Sequence, residues 1–166
     1  MDAVWHALQA ARPEEHAVRA VVQRVSEAAV SVAGEVKGAI DAGLCVLLSV
    51  GQDDGQDDVA LMVDKLAGLR IFSDSEGKMN LDVRQAGGAV LLISQFTLHG
   101  DVRRGKRPSF IAAMEPVTAQ RLVAAVATGL QALGLRVAQG VFGADMRVSL
   151  CNEGPVTILI DSKKTF

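Results

Sequence analysis

Two short polar interruptions hold the groups best placed to do chemistry. One is Ser94-Gln95-Phe96-Thr97-Leu98, fed by the apolar run Val90-Leu91-Leu92-Ile93. The other is Asn152-Glu153-Gly154-Pro155-Val156-Thr157, which leads into Ile158-Leu159-Ile160. Polar groups at the ends of buried strands are where small sites are commonly built. In the first segment, backbone N–H groups and the hydroxyls of Ser94 and Thr97 could hold a small polar group, and backbone donors can stabilise an oxyanion without any base. The plain alternative is a strand end whose hydroxyls bond nearby backbone. Ser94 and Phe96 would face one way along such a strand, Gln95 and Thr97 the other. Thr97 is the candidate nucleophile, and a weak one without a base. In the second segment, Gly154-Pro155 is either a trans turn before a strand or a cis bond that points its carbonyls into a pocket; X-Pro alone adopts cis at modest cost, and glycine leaves no side chain in the way. Arg24 is a third candidate. It lies in an apolar strand on the face of Ala20 and Val22, either exposed or holding a backbone carbonyl with its fork of donors.

Other reactive side chains are few. The histidines are His6, His16 and His99. A Ser-His-acid triad would have to recruit His99, five residues from Ser94, without a Gly-x-Ser-x-Gly elbow. Cys45 and Cys151 sit in apolar, strand-like surroundings and read as two buried, reduced thiols. Cys151 as a nucleophile would want a base that the sequence does not place nearby. Neither the histidines nor the cysteines make a zinc pattern, so no metal and no cofactor are expected. Arg103, Arg104, Lys106 and Arg107 form a basic cluster around Gly105, just beyond Thr97. It reads as a phosphate-facing loop or as a solvated one.

These groups must be positioned by a chain of 166 residues, 49% hydrophobic, with a net charge of -2. That suits one domain with a real core. No apolar run approaches the ~20 residues that span a bilayer. The start lacks the order of a signal peptide, so a cytoplasmic location is expected. Residues 1–17 read as an appendage, with a short helix over Trp5, Leu8 and Ala11 stopped near Pro13; Val18 is then the candidate natural start. The domain is expected over 18–162 and a short tail over 163–166.

Strands are expected over Val18–Val25, then a hairpin of Ala29–Val32 and Glu35–Ile40 around Ala33-Gly34. Leu44–Val50 reads as a strand buried on both faces. A helix follows, with Val59, Met62, Val63, Leu66 and Leu69 on one face and Asp57 or Asp58 as cap. Arg70–Phe72, Met79–Leu81 and Ala89–Phe96 read as strands. A second helix is expected from an N-cap at Thr118, with Leu122, Val123, Val126, Leu130 and Leu133 inward and Gly134 at its end. Arg136–Phe142, Met146–Leu150 and Val156–Ile160 complete the strands. The mostly hairpin order points to an α/β fold of α+β character: one domain, with a mostly antiparallel or mixed sheet curled around two helices.

Seven segments resemble the D-aminoacyl-tRNA deacylases. They are Val21-Val22-Gln23-Arg24-Val25, Arg70-Ile71-Phe72, Gly77-Lys78-Met79-Asn80, Ser94-Gln95-Phe96-Thr97-Leu98, Arg107-Pro108-Ser109-Phe110, Gly140-Val141-Phe142-Gly143-Ala144-Asp145-Met146 and Gly154-Pro155-Val156-Thr157. The similarity runs in order from Val18 to about Ser162. Residues 1–17 fall outside it, Glu153 stands where the family more often has Asp or Asn, and His99 lies at a variable position. The resemblance implies a barrel-like fold and a homodimer with its site at the subunit interface. It implies hydrolysis of the ester between a D-amino acid, or glycine, and the 3′-terminal adenosine of tRNA. Gly154-Pro155 would be cis and reach into the partner's site, where its carbonyls crowd an L side chain. Arg24 and Met79 would support the site. Ser94, Gln95, Phe96 and Thr97 would line the pocket, and the basic loop would meet the tRNA. Attack by water would be assisted by the substrate's 2′-OH, in preference to Thr97. Two rival readings remain: an RNA-binding module without catalysis, and a general esterase using Ser94 or Cys151.

Overall fold

β-Branched and apolar runs set the sheet. The computed structural model describes residues 17–164, so the expected helix over Trp5 to Ala11 lies outside the described residues. β1 (Arg19–Val32), β2 (Glu35–Ile40) and β3 (Gly43–Ser49) follow one another. The two runs expected as separate strands before Ala33 are one strand of 14 residues. Ser26 and Glu27 are exposed within it, so a polar pair can face water without ending the strand. Ala33 and Gly34 both take positive φ, 50° and 85°, as the tight right-twisting hairpin turn requires. After α1 (Gln56–Gly68) come the short β4 (Phe72–Ser73) and β5 (Met79–Leu81), then β6 (Ala89–Ser94). α2 (Pro116–Ala132), β7 (Val137–Gln139) and β8 (Arg147–Asp161) complete the chain.

The main sheet runs β2-β1-β3-β6-β7, with β8 on the other side of β1. β1 is antiparallel to β2, β3 and β8; β3–β6 and β6–β7 are parallel. The ends of the sheet approach one another. A Cβ on Gly38 of β2 would stand 2.7 Å from the Gln139 carbonyl of β7, so the sheet is nearly closed into a barrel. Met62 and Leu66 of α1 and Leu122, Val126 and Leu130 of α2 pack on one face of it, against Val22, Leu44, Val46, Leu48, Val90 and Leu92. The other face holds Val25, Ala28, Val30, Ile40, Cys45, Leu91 and Ile93. β3 and β6 are covered on both faces, which is why their sequences are unbroken apolar runs rather than alternating ones. Among the described residues no helix is long and apolar enough to cross a membrane.

Several element ends differ from expectation. α2 starts at Pro116, not after a Thr118 cap. Glu115 is the N-cap, and its carboxylate accepts from the N–H groups of Val117 and Thr118. Proline fits the first turn because that N–H has no helical partner. Leu133 falls just past the helix end and is 43% exposed. In α1 the N-cap is Gly55, and Asp58 reaches back to accept its N–H at 3.0 Å. Asp58 also accepts from Lys163 Nζ at 2.6 Å and Ser162 Oγ at 2.8 Å, which ties the end of the chain to the start of α1. Burial pushes the Asp58 carboxyl up, but those donors outweigh it and hold it below the usual range. The short strand near Ile71 is Phe72–Ser73 rather than Arg70–Phe72, and β7 covers only three residues of Arg136–Phe142.

Candidate active site

β6 delivers the first polar segment. Its ladder closes with the Gln95 N–H donating to the Leu48 carbonyl at 2.7 Å. The chain then turns. Phe96–His99 is a single 3-10 turn, so the strand expected to Phe96 stops at Ser94, and the expected alternation of faces does not hold. His99 explains the turn. It is buried, its Nδ1 lies 2.6 Å from Ser49 Oγ, and its Nε2 lies 2.9 Å from the Ala17 carbonyl. A carbonyl only accepts, so Nε2 carries the hydrogen and donates it to Ala17. The imidazole thus fastens the turn to β3 and to Ala17, two residues before β1. Sequence reasoning gave His99 no catalytic part, and it had no signal for the pairing with Ser49.

A cavity of about 680 Å³ opens beside this turn. Ser94, Gln95 and Phe96 line it, together with Phe110, Phe142 and Met146. Phe96, 58% exposed, meets Phe110 edge to face with centroids 5.0 Å apart. Such a lining suits a flat or apolar group held by a few polar atoms at one end. Thr97 does not line the cavity. It is exposed, and its hydroxyl accepts from Gln95 Nε2 at 2.5 Å. An oxygen that accepts an amide hydrogen is made less nucleophilic. The sequence resemblance singled out Phe110, Phe142 and Met146 only as motif members and gave them no lining role.

The second segment has a different geometry. The strands expected at Met146–Leu150 and Val156–Ile160 are one 15-residue strand, β8, which bulges in its middle. Thr157 pairs with Gln23 and Asn152 with Val25, so Glu153 to Val156 stand opposite Arg24 alone. Gly154-Pro155 is cis, and both residues are exposed. Gly154 has φ +131°, and a Cβ there would lie 2.8 Å from Arg24 Nη2. Arg24 holds carbonyls: its Nε donates to Glu153 O at 3.0 Å and its Nη1 to Ile71 O at 2.6 Å. This is the second of the two readings the sequence left open.

Gly154, Pro155, Arg24 and Met79 do not line the cavity that Ser94, Gln95 and Phe96 share. Ser94 pairs with Leu48, and Leu48 with Ala20. The bulge lies on the far side of β1, at Arg24. At ordinary strand rise and spacing, that is roughly 13 Å along the strands and roughly 14 Å across them. Met79, exposed, opens β5. Arg103, Arg104, Lys106 and Arg107 are all exposed, on a loop closed at its base by paired hydrogen bonds between Asp101 and Ser109. The next residue, Phe110, lines the cavity, so the loop flanks its mouth. Arg103 grips Asp101 with two nitrogens and holds that carboxyl down to about 2. Cys45 is buried, and burial pushes its thiol up to about 11, far from a thiolate nucleophile. Cys151, expected buried, is exposed on β8; this half of β8 is uncovered on both faces. Among the described residues no three His, Cys, Asp or Glu side chains are grouped to hold a metal ion.

Comparison with known proteins gives the family and the fold. A family model described as D-Tyr-tRNA(Tyr) deacylase matches residues 21–161. A D-aminoacyl-tRNA deacylase of Anaeromyxobacter dehalogenans is 58% identical over 149 residues, covering 90% of this chain and 100% of the relative. Those of Koribacter versatilis and Thermus aquaticus are 57% and 53% identical, covering 90% and 89% of this chain and 100% and 97% of theirs. A solved structure described as c-Myc DNA Unwinding Element Binding Protein superposes with a TM-score of 0.81 at 39% identity, over 86% of this chain and 97% of its own. A probable eukaryotic D-amino acid tRNA deacylase shares the fold, with a TM-score of 0.77 at 17% identity, over 87% and 99% of the two chains. The chain belongs to the D-Tyr-tRNA(Tyr) deacylase family.

Proposed function

We propose that this protein hydrolyses the ester between a D-amino acid, or glycine, and the 3′-terminal adenosine of tRNA, releasing the free amino acid and tRNA in the cytoplasm. Family membership supports the reaction. The observation that carries the selectivity is the bulge of Glu153 to Val156, which exposes Glu153, Gly154 and Pro155 and is held at Glu153 by Arg24. Main-chain carbonyls at Gly154 and Pro155 crowd the side chain of an L-aminoacyl group and leave room for a D side chain or a hydrogen. Discrimination is then a clash against the wrong hand. The cavity at Ser94, Gln95 and Phe96 receives the aminoacyl-adenosine end, and Arg103, Arg104, Lys106 and Arg107 meet acceptor-stem phosphates.

The bulge and the cavity are separate in one chain, so a second copy supplies the bulge. β8 supports this. It pairs only with β1 among the described strands, and it exposes Val148, Leu150 and Leu159. An uncovered edge of that length with apolar side chains calls for a covering partner. Water attacks the ester carbonyl carbon, backbone N–H groups steady the oxyanion, and the bond to the 3′ oxygen breaks. The neighbouring ribose 2′-OH assists the water. Thr97, exposed and already hydrogen-bonded to Gln95, stays outside the chemistry.

Paired assays test the reading. D-aminoacyl-tRNA is expected to be cleaved and its L counterpart spared. A 2′-deoxy terminal adenosine is expected to slow the reaction by orders of magnitude, and Thr97→Val to change it less than about tenfold. Equal cleavage of both hands would refute the selectivity, and an unchanged rate on the deoxy substrate would refute the assisted attack.

A further inference from the structure

β8 leaves β1 for four residues and returns, and something must hold the two ends of that departure together. Glu153 to Val156 have no individual register partner on β1. Asn152 closes the neck. Its Oδ1 accepts the Val156 N–H at 2.8 Å, and its Nδ2 donates to the Val156 carbonyl at 3.3 Å and to Thr157 Oγ1 at 3.1 Å. The side-chain amide stands where the peptide group of a neighbouring strand would stand. It satisfies both main-chain polar groups of Val156, a residue the fold buries, and a buried polar group without a partner is costly. Asparagine suits the place because its side chain carries an acceptor and donors side by side.

The exposed dipeptide is therefore held on both flanks. Arg24 grips Glu153 on one side, and Asn152 grips Val156 on the other. Asn152 does not line the cavity. We infer that Asn152 is a positioning residue for stereochemical discrimination: by fixing Val156 it sets where the Gly154 and Pro155 carbonyls stand. This rests on the main-chain discrimination proposed above. Aspartate at 152 keeps the shape and the acceptor, but it turns an oxygen toward the Val156 carbonyl, so that flank opens. Alanine removes the clamp altogether.

The test compares kcat/KM on D- and L-aminoacyl-tRNA for the wild type, Asn152→Ala and Asn152→Asp, with thermal unfolding as the check on folding. The expected result is a fall of about tenfold or more in the D-to-L ratio for each variant, with KM for the D substrate little changed. A loss of general stability alone would lower both rates together and leave the ratio where it was. Should Asn152→Ala unfold, Asn152→Asp, which preserves side-chain volume and one hydrogen bond, carries the comparison. A discriminating wild type beside folded variants with an unaltered ratio overturns the inference and leaves the proposed function standing. A wild type that fails to discriminate overturns both.

Discussion

Asp54 lies outside the candidate site, yet it is the carboxyl that burial disturbs most clearly. Its Oδ2 accepts the Gly51 N–H at 2.6 Å, while its buried Oδ1 has no hydrogen-bond partner. Burial pushes its pKa up to about 6, against the opposing pull of the Gly51 hydrogen bond, and nearby Asp58 adds to the rise. The sign follows from proton binding. Between about pH 4 and about pH 6 the unfolded chain has released this proton and the folded chain still holds it, so stability falls as pH rises through that window. Asp58 and Asp101, held down, act the other way: their contribution is present above about pH 4 and is lost as pH falls below it. Asp54→Asn keeps an acceptor for Gly51 and has no charge to bury. Urea unfolding near pH 7.5 should show it more stable than the wild type by about 1 kcal/mol, a figure discounted for partial solvent screening. Near pH 4 the advantage should vanish, because both side chains are then neutral. An equal gain at both pH values would mean that charge burial is not the cause.

The two helices meet at a glycine. A Cβ on Gly129 of α2 would stand 2.7 Å from Val63 Cγ2 and 3.2 Å from its Cγ1, so neither methyl of Val63 on α1 can simply rotate away. Gly129→Ala improves helix propensity by about 1 kcal/mol, and the overpacking costs roughly 1–3 kcal/mol. The net expectation is a loss of about 1 kcal/mol, measured by chemical denaturation. In a double-mutant cycle with Val63→Ala the pair should be more stable than the sum of the single changes, by about 1 kcal/mol; simple additivity would place the clash elsewhere. At this scale much was legible in the residues. The apolar runs of β3 and β6 announce strands covered on both faces, and Leu122, Val126 and Leu130 mark the inner side of α2. Arg24 is conspicuous as a charge inside an apolar strand. What stayed hidden depends on contacts distant in sequence or on an unusual choice of residue. The turn at Phe96–His99 is fixed by a bond from His99 to Ser49, fifty residues away. Gly154-Pro155 reads as the break between two strands, whereas β8 resumes its pairing with β1 beyond the bulge in a shifted register, with Arg24 and Asn152 holding the flanks of the bulge. Glu115 is an uncommon cap, so Thr118 drew attention in its place.

At the scale of the molecule, the two segments richest in chemistry do not meet within one chain. The cavity has Ser94, Gln95 and Phe96 in its wall; the bulge with Gly154 and Pro155 faces solvent across β1. β8 offers an exposed edge beside that bulge. A two-fold pairing would repeat any contact twice, so each copy could lend its bulge to the other's cavity. Mixed assemblies decide whether the site is shared. Gly154→Ala spoils the bulge, since the added Cβ meets Arg24 and Val156 at 2.8 Å. Ser94→Phe fills the cavity and leaves the bulge untouched. Ser94→Phe alone should be inactive, and Gly154→Ala alone should cleave both hands, because the bulge rejects the L substrate and does not perform the hydrolysis. Unfolded and refolded together in equal amounts, they form hybrids in half of the pairs. In each hybrid, one site joins the intact cavity of the Gly154→Ala chain to the intact bulge of the Ser94→Phe chain. Half of the open cavities are then gated, so cleavage of L-aminoacyl-tRNA should fall to about half of that in an equal mixture of the separately folded variants, with D cleavage unchanged. If bulge and cavity served the same site from the same chain, every open cavity would keep its own spoiled bulge, and L cleavage would not fall.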